Sequence, residues 1–192
     1  VRDLRGLRRT LAVAVVGAAL LTGCSEKQQA NDTLPSSSAA ETSEALPPLG
    51  PEDFPVPDEA RTKDAAGAEA FLRYWIDLSN HQQDQLNGQP LRELAPDCIE
   101  CLRIAKSFDD VAAAGQRYDG GHVTLTSVTE PLVGGNEARI AFIVEQQAVR
   151  LLDAAGNVVD PGLPLRSDLS SGMSLTWSDA KQVWLVASMT LG

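Results

Sequence analysis

The chain has 192 residues, with 16 basic and 26 acidic side chains and a net charge of −10 at pH 7. A chain this acidic repels phosphate backbones, which argues against nucleic-acid binding, and it is repelled equally by an anionic lipid surface. Its length accommodates a single domain once the terminal segments are set aside.

The first element is an export signal. Arg2, Arg5, Arg8 and Arg9 precede an apolar run from Leu11 to Leu21, and Leu21-Thr22-Gly23-Cys24 closes it. This is the charged, apolar, small-residue order of a secretory signal, here ending in cysteine. The small residues at 22 and 23 suit a peptidase cleft, and Cys24 is the thiol expected to take a diacylglyceryl chain. The run falls well short of the ~20 residues that span a bilayer as a helix. Residues 1–23 are therefore expected to be a lipoprotein signal peptide, with Cys24 the lipidation site and the outer face of the cytoplasmic membrane the location. Arg8-Arg9 is compatible with twin-arginine as well as general export, and Val1 reads as a GTG start codon translated literally. Without residues 1–23 the chain keeps 12 basic and 25 acidic residues, a net charge of −13. Membrane attachment then falls to the lipid, not to charge.

Residues 24–60 read as a linker after the lipidated cysteine. Prolines 35, 47, 48, 51, 55 and 57, a Ser36-Ser37-Ser38 run and a scatter of Leu34, Leu46, Leu49, Phe54 and Val56 bury no core. As a flexible coil such a tether spans about 30–35 Å. A structured arm packing on the domain is the alternative for residues 51–57 only.

Residues 61–192 are expected to form one α+β domain. Thr62 to Leu86 predicts a helix, with Ala68, Phe71, Leu72, Trp75, Ile76, Leu78, Ser79, Gln82 and Leu86 on one face and Arg73, Asp77 and Asp84 on the other. Asn87-Gly88 supplies its stop. After a short turn at 90–94, Asp97 is placed to cap a second long helix with Glu100 reaching back. Cys101, Leu102, Ala105, Phe108 and Ala112 line that helix, and Gly115 ends it. Beyond Gly120-Gly121 the period becomes two. His122–Thr129 and a long run from Ala138 to Leu152 predict strands, the latter with Ile140, Phe142, Val144 and Ala148 inward. A turn at 153–157 follows, then a brief pairing of Val158-Val159 and a loop around Pro161 and Pro164. Met173–Trp177 pairs with a last strand placing Val183, Leu185, Ala187, Met189 and Leu191 on one face.

Helices first and antiparallel strands afterwards predict helices packed on one face of a curved four- to five-stranded sheet. This order resembles the cystatin-like cone fold of nuclear transport factor two and the SnoaL-like polyketide cyclases. The segments Phe54–Ala60, Ala70–Trp75 and Leu94–Cys101 resemble, more closely, a family of actinobacterial lipoproteins of unknown function. The cone resemblance implies an interior that is either filled or a pocket, and in the cyclases and isomerases an Asp, Tyr or His inside it as acid and base. Phe71, Trp75, Ser79, Gln82, Phe142 and Trp177 are the residues placed to line such a pocket.

Candidate chemistry is sparse. Outside the membrane Cys98 and Cys101 are expected to form a structural disulfide locking the first turn of their helix. The alternative is a thioredoxin-like redox pair, disfavoured by Glu100 between the thiols and by the lack of a βαβ pattern. His81 and His122 stand at no metal-ligand spacing, so no metal is expected. No phosphate loop, nucleophile elbow or cofactor fingerprint occurs. Asp77 and His81 fall on the polar side of their helix, Tyr74 grazes the apolar side, and His122 sits at the start of a strand. The reading is a membrane-anchored extracytoplasmic lipoprotein, non-catalytic, binding a small apolar molecule or a cell-envelope protein. The alternatives are a SnoaL-like enzyme in the cone and a redox lipoprotein.

Overall fold

A computed structural model describes residues 48–192. The expected signal segment, the expected lipidation site Cys24 and the expected linker up to residue 47 lie outside the described residues. Three helices come first: α1 (Ala65–Gln85), α2 (Gln89–Leu94) and α3 (Ile99–Ala113). Eight strands follow: β1 (Arg117–Gly120), β2 (Val123–Val128), β3 (Leu132–Gly134), β4 (Glu137–Gln146), β5 (Val149–Leu152), β6 (Val158–Leu163), β7 (Arg166–Ser178) and β8 (Val183–Thr190). They form two antiparallel sheets, neither closed. The larger runs β2-β4-β7-β8 with β3 also on β4, and the smaller runs β1-β5-β6. The fold is α+β, as the element order predicted.

Local chemistry sets the helix ends. Asp64 caps α1 by accepting the Gly67 N–H at 2.7 Å, and this bond, aided by the Thr62 hydroxyl, holds its carboxyl below the usual range. The stop of α1 falls on Leu86, not on Asn87-Gly88. Leu86 takes the left-handed conformation at φ 53°, its N–H donating to Gln83 and that of Asn87 to Gln82. That is the Schellman closure, here on a side chain that pays roughly 1 kcal/mol for it. Gly88 serves another purpose, because a Cβ there would lie 2.2 Å from the Ala105 carbonyl oxygen. Its missing side chain lets the start of α2 lie against α3.

The cap of α3 is Cys98, not Asp97. Its Sγ accepts the Cys101 N–H at 3.2 Å, while Glu100 pairs with Arg103 instead of reaching back. Gly115 ends α3 with a positive φ of 64°, and the Gly115 and Gln116 amides close the same Schellman pattern.

The strands depart from the simple alternation in three places. The expected run from Ala138 to Leu152 is two strands in two sheets, since Gln147 donates its N–H to His122 and leaves Ala148 exposed. The pairing at Val158-Val159 continues through Pro161 into β6, which tolerates proline because it is an edge strand. In β8 the register shifts so that Leu175 opposes Val186 and Ser174 opposes Ser188, leaving Ala187 as an extra residue. A bulge of this kind reverses the parity of a strand. Trp184, Val186 and Met189 therefore face the core together, opposite Trp177, Leu175 and Met173. Leu185 and Ala187 are only half-buried and Leu191 is exposed.

The core lies between the helices and the large sheet. Phe71, Leu72, Trp75 and Leu78 of α1, Leu91 and Leu94 of α2, and Ala105 and Phe108 of α3 meet Ile140, Phe142, Val144, Leu175, Trp177 and Trp184. Each large side chain buried this way contributes about 1.5–3 kcal/mol before entropy is counted.

The folded unit begins upstream of the expected boundary at residue 60. Val56 and Ala60 are buried, the Val56 N–H donates to Leu49 O at 2.8 Å, and a 3-10 turn spans Asp58–Arg61. Arg61 is buried and donates to the carbonyls of Lys181 and Gln182, tying this turn to the β7–β8 hairpin. Proline density alone made this stretch look like linker, yet Pro55 and Pro57 cost little order because their φ is already fixed.

Candidate functional site

The arm before α1 runs antiparallel to that helix and is pinned at several points. Phe54 stacks between two rings of α1, at 5.6 Å from Tyr74 and 4.8 Å from His81. The Tyr74 hydroxyl donates to Phe54 O at 3.0 Å, and His81 Nε2 lies 3.0 Å from Asp53 Oδ2. Gly50, at φ +89°, lets the chain pass the Tyr74 hydroxyl, which a Cβ would meet at 2.5 Å. Tyr74 is thereby buried, against the expectation that it only grazes the apolar side, and burial pushes its phenol well above the ordinary 10.0. Helical phase could not show this, because the covering comes from the arm and not from the core.

Between arm and helix lies an open groove of about 660 Å³. Phe54, Pro55 and Pro57 form its arm side, and Ala66, Ala70 and Tyr74 its helix side. Its charged lining is Asp53, Glu59, Glu69 and Asp77 against the single Arg73. Arg73 is engaged by Glu69 at 2.6 Å and Asp53 by His81, whereas no hydrogen bond or ion pair of the Glu59 and Asp77 carboxylates occurs among the described residues. A second groove, of about 630 Å³, lies on the sheet around Leu132, Arg139, Ala141, Ser174 and Thr190.

The residues expected to line an interior pocket sit elsewhere. Phe71, Trp75, Gln82, Phe142 and Trp177 are buried and Ser79 is half-buried. None of the six lines either groove. Among the described residues, Gln82 Oε1 is the one buried side-chain oxygen or nitrogen without a hydrogen-bond partner.

The remaining candidates are dispersed. Cys98 and Cys101 are joined in a disulfide and both are fully buried, so no thiolate can approach either sulfur without opening the helix start. Buried, the pair packs and caps. His122 Nε2 lies 2.8 Å from Asp84 Oδ1 at the surface, and Asp77 is exposed as its helical phase requires. Among the described residues no three His, Cys, Asp or Glu side chains are grouped to hold a metal ion.

The described residues thus form an α+β domain with open surface grooves, one between the arm and α1 and one on the sheet. Residues 52–189 match the family described as "Family of unknown function (DUF6318)", and the chain belongs to that family. No match is found among curated proteins. Among solved structures, the intermembrane space region of chloroplast protein ARC6 is 18% identical at a TM-score of 0.49, covering 68% of this chain and 97% of that one. A Catenulispora acidiphila protein in complex with S-DNPA is 12% identical at a TM-score of 0.41, covering 66% and 92%. A variant of Rd1NTF2_05 is 12% identical at 0.38, covering 65% and 99%. At such identities a likeness of fold implies no shared activity.

Proposed function

We propose that this protein is a lipid-anchored lipoprotein on the outer face of the cytoplasmic membrane, and that its domain is a non-catalytic binding module. It binds a small apolar molecule or a cell-envelope protein in the groove between the arm and α1. The observation that carries the reading is the contrast in filling: large aromatic side chains occupy the interior, while the arm and α1 leave an apolar concavity open. Its volume falls in the range of ligand sites. An acid/base enzyme inside the cone needs a titratable group on the core face of the sheet. The buried polar side chains among those described are Arg61, Gln82 and Ser171 together with the Tyr74 phenol. The hairpin carbonyls hold Arg61, and Tyr74 lies under the arm and donates to Phe54 O.

The anchor rests on Leu21-Thr22-Gly23-Cys24 after a basic and apolar leader. Cys24→Ala is expected to move the protein from the detergent phase into the medium or to leave it unprocessed, and equal partitioning of mutant and wild type contradicts it. Binding is tested on the exported domain by amide NMR. Two probes are titrated: N-phenyl-1-naphthylamine, neutral and apolar, and a hexapeptide of alternating lysine and leucine. Saturable shifts clustered on Ala66, Ala70 and Tyr74 for at least one probe are expected. Shifts absent for both, or confined to the core, reject the groove as a binding site.

A further inference from the structure

We propose that the occupant of the arm–α1 groove is an extended peptide segment of a partner protein, bearing lysine or arginine beside apolar side chains. The inference rests on the binding-module reading and adds the chemistry of the ligand.

Charge is the first argument. Four carboxylates line the groove against one guanidinium, and that guanidinium is already spent on Glu69. The Glu59 and Asp77 carboxylates have no hydrogen-bond or ion-pair partner among the described residues and both side chains are solvent-exposed, the Glu59 backbone carbonyl alone accepting from Thr62. A cation approaching them gains attraction without first breaking an internal ion pair. An anionic or purely apolar ligand leaves both unused.

Shape is the second. The helix side of the groove follows the stripe Ala66, Ala70, Arg73, Asp77, with Glu59 lining it from the arm. Eleven helical steps separate Ala66 from Asp77, roughly 16 Å along the axis, which is the length of about five extended residues. The groove is open along this length and does not enclose its contents. A compact apolar molecule there would keep much of its surface in water, whereas a strand of peptide needs one covered side. Pro55 and Pro57 offer rigid apolar surface with no amide hydrogen to satisfy, so side-chain contacts, not strand pairing, carry recognition.

The third argument removes the nearest competitors. The linker between residues 25 and 47 carries Glu26, Asp32, Glu41 and Glu44 against Lys27, so it matches the groove in sign and is repelled. A second copy brings the same excess, since the chain without its leader stands at −13.

The test uses the exported domain with the fluorescein-labelled lysine–leucine hexapeptide, a glutamate–leucine counterpart, dodecyltrimethylammonium, and the double variant Glu59→Gln, Asp77→Asn. Both substituted side chains are exposed, and melting curves check that the variant folds. Saturable anisotropy is expected for the lysine peptide alone, weakening at least ten-fold in the double variant and falling as salt is raised. Equal binding by the double variant, or equal binding by the glutamate peptide, overturns the proposal. Saturation by dodecyltrimethylammonium where the lysine peptide fails does so too, and points to a small amphiphile. Groove shifts with N-phenyl-1-naphthylamine but none with the lysine peptide overturn this inference while the binding-module reading stands.

Discussion

The two long faces of α1 solve opposite problems with the same helix. Inward, Phe71, Leu72, Trp75 and Leu78 meet the sheet and are all but inaccessible to solvent. Outward, Ala66 and Ala70 lie opposite Phe54, Pro55 and Pro57, and the space between stays open. Large apolar side chains at a helix–sheet interface interdigitate to crystal-like density, so they consume the room a ligand would need. Small residues opposite rigid prolines cannot fill the gap they face. Concavity here comes from what Ala66 and Ala70 lack, even though Phe54 and Tyr74 also line the groove.

The contrast is broken most severely by attacking the filled side. Trp184 is fully buried, packs edge-on against Trp177 at 5.3 Å and donates its indole N–H to Thr62 O. Trp184→Ala is expected to cost about 3–5 kcal/mol in denaturant unfolding, whereas Ala70→Gln on the open side stays within about 0.5 kcal/mol. A small loss at Trp184 means the interior is loosely packed.

The disulfide comes next. Cys98→Ala with Cys101→Ala opens a ring closed over a sequence separation of 3, and loop-closure entropy for so short a ring gives a loss of about 2 kcal/mol with folding retained. Intact mass without reduction is expected to show two hydrogens missing in the wild type.

A smaller effect sharpens the outer face. Tyr74→Phe removes the bond to Phe54 O, for a loss of about 1 kcal/mol. The phenol is raised in the folded state, so the folded chain keeps a proton that the unfolded chain loses near its ordinary value of 10.0. Stability is whole below that pH and declines above it. The alkaline decline is expected to be shallower in Tyr74→Phe, and identical profiles would place Tyr74 in solvent.

Much of the fold was legible because α1 and β4 obey clean periods. Phe71, Trp75, Ile140, Phe142 and Val144 are buried where 3.6 and 2 put them. What stayed hidden came from non-local causes. The bulge at Ala187 inverts β8 through its pairing with β7, and nothing in its own alternation announces that. The break after Gln146 answers to His122, the residue before β2. The cap at Cys98 depends on a covalent bond. The groove was the least legible, because it needs the arm folded back on α1, and proline-rich sequence resembles linker whether or not it packs. One signal was present: Phe54-Pro55-Val56-Pro57 alternates two apolar side chains with two prolines, which suits a rigid arm better than a coil.

Separating filling from binding in two variants tests the central claim directly. Leu72→Ala opens a cavity in the interior, and Ala70→Trp fills the groove. Titrating each with N-phenyl-1-naphthylamine and the lysine–leucine hexapeptide, alongside a melting curve, gives two independent readings. The account predicts that Leu72→Ala loses stability and keeps wild-type binding, while Ala70→Trp keeps its stability and loses binding. Binding abolished by Leu72→Ala and untouched by Ala70→Trp would contradict it, and would put the site in the core.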